Sequence, residues 1–526
     1  MSIPERDMII LNADVVTLDP KQPKAEAIAI HDGKIIAVGS NKKILKHKSR
    51  NMRTIDCKRK TVVPGLVDSH VHMLEFGLFL QELDLRNAKS IKEMQENLRE
   101  HAEKNPELPW ILGGRWDEEK FREKRYPTRH DLDMIVSDKP VFLTRVCGHL
   151  AVVNSRALKL AHITKHTRVK GGKVDLDPST GEPNGILRDN TMDIVSKHIP
   201  KPDKENYAKA CSLACENAVK FGLTEVHWLV SSAEEVRVLQ TMVSEDKLPL
   251  RVYLGIPAKM LNEIACLGLV SGFGNDMLKV GFIKILADGS LGARTAALRK
   301  PYADDPKTRG MMLYTQKKLC KLILKAHTSG LQIGVHAIGD RAIEKVIQAL
   351  RMALKTMPRK DHRHRIEHCS ILNAELIAQM KELELIASVQ PHFVVSDVWT
   401  VNRVGPERAR WAYPFKTLLD EGITVASGSD CPVEQINPLL GLWAATNRED
   451  KPKENLTFEE ALRTYTINTT FASFDENRKG TIEKGKYADL TILSENIDQA
   501  KTEKIRDVNV AMTIVNGKIT YSRQHE

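Results

Sequence analysis

At 526 residues the chain is longer than the roughly 250–300 residues at which a single hydrophobic core stops growing, so it is either one large barrel with appendages or several domains. Its 42% hydrophobic and 28% charged residues exclude a disordered chain. The formal charge of +11 raises the question of an anionic partner, but Lys and Arg are interspersed with nearly as many Asp and Glu and the densest basic clusters, KHKSR at 46–50 and CKRK at 57–60, are short, so neither nucleic acid nor a membrane surface is expected.

The first residues, MSIPERDMIILNADVV, carry charges where a secretory signal needs an apolar stretch, and no run approaches the ~18 apolar residues of a membrane span. The eight cysteines, at 57, 147, 211, 215, 266, 320, 369 and 431, form no CxxC pair, which fits reduced thiols in a cytoplasmic enzyme. Residues 1–60 read as short strands: AEAIAIHDGKIIAVG (25–39) alternates around Asp32-Gly33, a dipeptide suited to the positive φ values of a hairpin turn. The far end repeats the device, with a strand in GKYADLTIL (485–493) and a turn at Asn516-Gly517 in AMTIVNGKITYS (511–522). The two ends, 1–60 and 475–526, are expected to combine into one small β-sandwich domain, which hides edges that neither half hides alone.

Residues 61–470 alternate strand, loop and helix. Strands are expected at 62–69, 222–229, 249–256, 279–287, 331–337, 363–368, 384–390 and 422–428, with amphipathic helices between most of them; in 317–330, Leu319, Leu322, Ile323 and Ala326 share one face and Gly330 is placed to end the helix. Eight strands alternating with helices argue for an α/β fold closed into a (β/α)8 TIM barrel. The gap at 77–220 is too long for a connection and reads as an insertion after barrel strand 1, with a strand at 140–146 and a Gly-rich loop at 169–185. Because it leaves the carboxyl end of strand 1, it is expected to shape or cover the barrel mouth.

Polar residues cluster at the carboxyl ends of the expected strands: His70 and His72 on strand 1, Lys284 on strand 4, His336 on strand 5, His368 on strand 6 and Asp430 after strand 8. If the strands close, these side chains converge on one face of the barrel. His-x-His on a strand points both rings to one side, and imidazoles with a carboxylate are the ligands of Zn²⁺, Mn²⁺ or Fe²⁺.

The order VDSHVH, FIKILADGSLGARTAAL (282–298), VHAIGDRA (335–342), RHRIEHCSI (363–371), SVQPHF (388–393), SGSDCPV (427–433) and GTIEKGKYADLTIL (480–493) resembles the metal-dependent amidohydrolase superfamily. It is most similar to the YtcJ-like branch, which includes N-substituted formamide deformylases, and the resemblance extends to GGRWD and CGHLAVVNSRAL in the insertion. It implies one divalent ion, zinc foremost, held by His70, His72 and Asp430, and a second held by His336 and His368. Lys284 takes the position where relatives place a lysine carboxylated by CO₂ that bridges the ions; a plain lysine paired with Asp288 or Asp68 is the alternative, which would leave one ion. The resemblance further implies hydrolysis of a non-peptide C–N bond of a small-molecule substrate, with Asp430 as proton acceptor and donor and His368 or His336 against the oxyanion. His149, Trp116 and Arg294 are candidate substrate contacts. Asp340 is read as a helix cap, and Trp411, Tyr413 and Cys369 as packing residues. A homodimer is compatible with all of this.

Two rival readings fit the residues less well. A mononuclear deaminase wants a glutamate three residues after the strand-5 histidine, where this chain has Gly339. A non-catalytic basic barrel that binds an anionic partner is disfavoured because all six ligand positions are filled.

Overall fold

The computed structural model describes residues 6–146, 149–200, 203–497 and 501–523; of the eight cysteines, Cys147 alone lies outside them. The other seven form no disulfide. The chain divides into two compact units, Met1–Leu74 with Cys211–Glu526, and Glu75–Ala210.

The first unit contains the expected barrel. Its eight strands are Leu66–Val71, Leu223–Leu229, Arg251–Pro257, Leu278–Leu286, Gln332–Ala337, Arg365–His368, Ile386–Val389 and Val425–Ser427, paired in parallel in sequence order. The sheet is nearly closed: just past the end of strand 8, the Asp430 N–H donates to the carbonyl of His70 in strand 1 at 2.7 Å. Ser429 reinforces that seam, its N–H and hydroxyl both donating to the Asp68 carboxylate. The helix expected at 317–330 runs over Gln316–Thr328, with Leu319, Ile323 and Ala326 buried and Gly330 at φ +76° just past its end. Among the described residues no helix is long and apolar enough to cross a membrane.

The run at 62–69 is two strands rather than one. Thr61–Pro64 pairs with Asp14–Val16 and Leu490–Leu493 in the terminal β-structure, and only Leu66–Val71 belongs to the barrel. Gly65 is the crossing point, because a Cβ there would meet Thr224 Oγ1 at 2.2 Å. Sequence reading misses the break because the residues on either side of Gly65 are apolar and both strands are buried throughout.

Both ends of the chain build the β-structure beneath the barrel. One sheet holds Lys34–Gly39, Ala27–His31, Met8–Leu11 and Arg53–Asp56; the other holds Lys518–Ser522, Val510–Val515, Leu490–Leu493, Thr61–Pro64, Asp14–Val16 and Lys24–Ala25. They share a core that includes Ile10, Ile28, Val62, Leu490 and Ile514. The two hairpin turns have the positive φ values expected, 46° and 73° at Asp32-Gly33 and 51° and 73° at Asn516-Gly517. They also meet tip to tip: a Cβ on Gly33 would lie 2.6 Å from the Asn516 carbonyl oxygen. Glycine is needed there for the approach as well as for the turn.

The second unit is built on its own six-stranded sheet, in the order Gly172–Leu176, Pro183–Asp189, Leu150–Val153, Val141–Arg145, Ile111–Trp116, Leu83–Asp84. The stretch read as loop, 169–185, carries most of an antiparallel hairpin instead, Gly172–Leu176 against Pro183–Asp189. Its turn, DPSTGE, with the Pro and Gly residues that flank it, is what gave the segment its loop-like composition.

Candidate metal centre

All six strand-end residues line one cavity of about 410 Å³. His70 is fully buried on strand 1, with Nδ1 2.5 Å from Glu367 Oε2 and Nε2 3.0 Å from Lys284 Nζ and 3.4 Å from Asp430 Oδ1. His72, a third exposed, sets Nε2 3.3 Å from the same Asp430 oxygen. His368 gives its Nδ1–H to Gln390 Oε1 at 2.7 Å, and His336 gives Nε2–H to the Gly289 carbonyl at 3.0 Å. Those two rings pack edge to face at 4.4 Å.

His70, His368 and Asp430 each offer one ligand atom, and the three atoms lie within 4.8 Å of one another; it is the only such group among the described residues. The tightest group therefore takes His368 in place of His72, and crosses the two ligand sets that the resemblance implies.

The donors suit a divalent transition-metal ion. Burial, then the Lys284 charge, holds His70 down at about 4, and the same two causes hold His336 at about 4. Burial and the neighbouring His336 hold His368 well below the usual imidazole range. Neutral rings with one nitrogen already donating turn the other lone pair towards the centre, as a ligand needs, where that of His70 meets Lys284 Nζ. His368, with its only N–H committed to Gln390, then has none left for an oxyanion; this geometry makes it a ligand donor and not an oxyanion donor. Asp430 is buried, which raises it, but the His72 hydrogen bond and the fields of His70 and His368 hold it below the ordinary carboxylate range.

Backbone strain accompanies the site. His368 and Asp430 sit at φ +73° and +58°, the left-handed region that non-glycine residues rarely adopt. Lys284 pairs with neither acid proposed for it. Asp68 is taken by Ser429 and the His70 N–H, and Asp288 accepts the N–H groups of Ala297, Ile338 and Gly339.

Behind His70 runs a buried polar chain that sequence reading missed. Glu367 is gripped by Arg365 at 2.5 and 3.0 Å, and Arg365 reaches His227 Nδ1 at 2.8 Å and the Ser69 carbonyl at 2.6 Å. All of these side chains are fully buried. The available signal was two charges, Arg365 and Glu367, at alternate positions of a strand whose inward face ordinarily carries Val, Ile or Leu. Glu367→Gln is expected to weaken metal binding by about 10- to 100-fold, the usual effect of losing the group that orients a ligating histidine. Competition against a chelator measures it, and an unchanged affinity would reduce Glu367 to a structural partner of Arg365.

The candidate substrate contacts fare differently. Trp116 is a core residue of the second unit, fully buried, with its indole N–H on the Leu143 carbonyl at 3.0 Å, and has no surface to offer a substrate. Its large apolar ring is satisfied where it lies. His149 is an exposed residue of that unit, 3.1 Å from Asp189. Arg294 is bound by Asp304 at 2.9 and 3.1 Å and does not line the cavity. Tyr413, read as packing, does line it. Asp340 opens the helix Asp340–Thr356, where its carboxylate accepts the Arg299 and Arg341 N–H groups.

Comparison with known proteins identifies the family. The model of the Amidohydro_3 amidohydrolase family matches residues 53–521. YtcJ of Bacillus subtilis (strain 168) is 32% identical over 525 residues, covering 97% of this chain and 98% of its own. An N-substituted formamide deformylase of Arthrobacter pascens is 27% identical over 540 residues, covering 98% of this chain and 99% of its own. The crystal structure of an uncharacterized metal-dependent hydrolase from Pyrococcus furiosus superposes with a TM-score of 0.79 at 31% identity, over 94% of this chain and 99% of that one. A match running from residue 53 to 521 leaves no barrel strand outside it: the chain belongs to the amidohydrolase family, and is a YtcJ-like hydrolase.

Proposed function

We propose that the protein hydrolyses a non-peptide C–N bond, foremost that of an N-substituted formamide or related amide, with a divalent cation, zinc first among candidates, held by His70, His368 and Asp430. The observation that carries the reading is the convergence of those three ligand atoms within 4.8 Å at the cavity. His72 and His336, lining the same cavity, complete the ligand set, with Lys284 joining it as a carbamate if a second ion is held. When bound, such a cation acidifies water and polarises a carbonyl oxygen.

The chain's own groups do the rest. Asp430 accepts the proton of the attacking water and returns it to the leaving nitrogen, so that R–NH–CHO and H₂O become R–NH₃⁺ and formate. Glu367 and Gln390 hold the His70 and His368 rings in the tautomers that keep a lone pair towards the centre. The deaminase alternative is further disfavoured because a Cβ at Gly339 would lie 2.0 Å from the Ala297 carbonyl oxygen, so this backbone does not admit a glutamate there.

The test is a panel of N-formyl, N-acetyl and cyclic amides assayed before and after chelation. Hydrolysis of at least one, lost on chelation and restored by added Zn²⁺, is expected. A metal-replete protein that releases ammonia from aminated heterocycles but opens no amide would overturn it.

A further inference from the structure

Beyond the six strand-end residues the cavity wall is mostly apolar, with Leu286, Leu291, Ile338, Phe393, Trp399 and Val433 outnumbering the hydroxyls of Ser290 and Ser370. Phe393 stacks on His368 at 6.4 Å, so this wall begins at the centre itself. Leu286 and Val433 are 48% and 66% exposed, so the apolar surface continues outward to solvent. Set into it is one acid, Asp397, half-buried, whose Oδ2 accepts the Tyr413 hydroxyl.

No Lys or Arg among the described residues lies within ion-pair distance of Asp397. Two guanidinium groups on segments that border this wall are spoken for: Arg403, over the Trp399 ring, and Arg294 both bind Asp304. The charge that does bear on Asp397 is a second acid, Glu434, and burial with that neighbour pushes Asp397 up to about 6. A carboxylate on an apolar wall, with one oxygen given a neutral donor and no cation beside it, is half of an ion pair.

We infer that the substrate supplies the other half: it carries, on the apolar portion that fills this wall, a hydrogen-bond donor, best an ammonium group, and a carboxylate at that place is rejected. This rests on the hydrolase reading of the same cavity and narrows it to amine-bearing, largely apolar N-acyl compounds. N-acyl amino acids and other anionic amides are excluded by repulsion from Asp397 and Glu434.

Three N-formyl phenethylamines bearing para-aminomethyl, para-methyl or para-carboxyl groups test it on the metal-loaded protein. The expected order of kcat/KM is aminomethyl, methyl, carboxyl, with about 100-fold between first and last. Asp397→Asn, which keeps an acceptor for Tyr413, is expected to compress that ratio by about tenfold or more, the size of one charge-assisted hydrogen bond. An equal or inverted order in the wild type overturns the inference, as does a ratio that survives in the variant. If Asp397→Asn does not fold, the wild-type order decides alone. If none of the three is hydrolysed, the amide-hydrolase reading fails separately, and calorimetry with the matching methanesulfonamides, which cannot be cleaved in this way, reads the same order. Binding of none of them overturns the inference too.

Discussion

Asp430→Asn is expected to lower kcat by about 10³- to 10⁴-fold in a protein that still folds, with metal content reduced as well. The lower part of that range is what removing a general acid–base group costs, and the rest reflects the loss of the one anion in the tight ligand group. Its Oδ1 lies 3.4 Å from His70 Nε2 and 3.3 Å from His72 Nε2, while its N–H closes the barrel seam onto the His70 carbonyl. The amide keeps the backbone seam and the shape, but neither the charge nor the ability to take up a proton. Circular dichroism, elemental analysis and kcat at saturating metal separate the two losses. Activity within tenfold of wild type would place the proton acceptor elsewhere.

Lys284→Ala has the second largest expected effect, a fall of at least about 100-fold in activity with a lower metal content, from two ions to one or none where the wild type holds two. Lys284 is buried, 3.0 Å from His70 Nε2, and makes no ion pair among the described residues. Burial pulls its ammonium down to about 8, against the opposing charges of Glu367 and Asp430. That shift enlarges its free-base fraction near neutral pH, and the free base is the form that attacks CO₂ to give a carbamate anion and a proton. Metal loading in wild type should therefore rise with bicarbonate and with pH from 7 to 9, and protein equilibrated with ¹³C-bicarbonate should show a carbamate carbonyl resonance absent from the variant. Unchanged metal stoichiometry in Lys284→Ala would remove the residue from the ligand set.

The barrel was legible because most of its eight strands are largely apolar runs, and the site because polar residues stand near the ends of five of them: His70, Lys284, His336, His368 and Asp430 each interrupt the pattern near or just past a carboxyl end. What was hidden depends on partners distant in sequence. The break at Gly65 is set by Thr224, which no local pattern reveals. Trp116 looks like a functional aromatic until the sheet around Leu143 closes over it. Glu367 and Arg365 stood in plain view in RIEH, but their role needs the position of His70, and Asp397 gains meaning only from what its loop leaves out, a neighbouring cation.

The strand Thr61–Pro64 lies between Asp14–Val16 and Leu490–Leu493, so Val62 finds its partner Ile492 only when almost the whole described chain exists. At a synthesis rate of 5–20 residues per second, that edge waits on the order of 20 to 90 s on the ribosome with its hydrogen-bonding groups open. The foot of the barrel is thus assembled last although its first strands are made first. A nascent chain halted before residue 490 presents an unpaired, apolar edge next to the segment that bears His70 and His72.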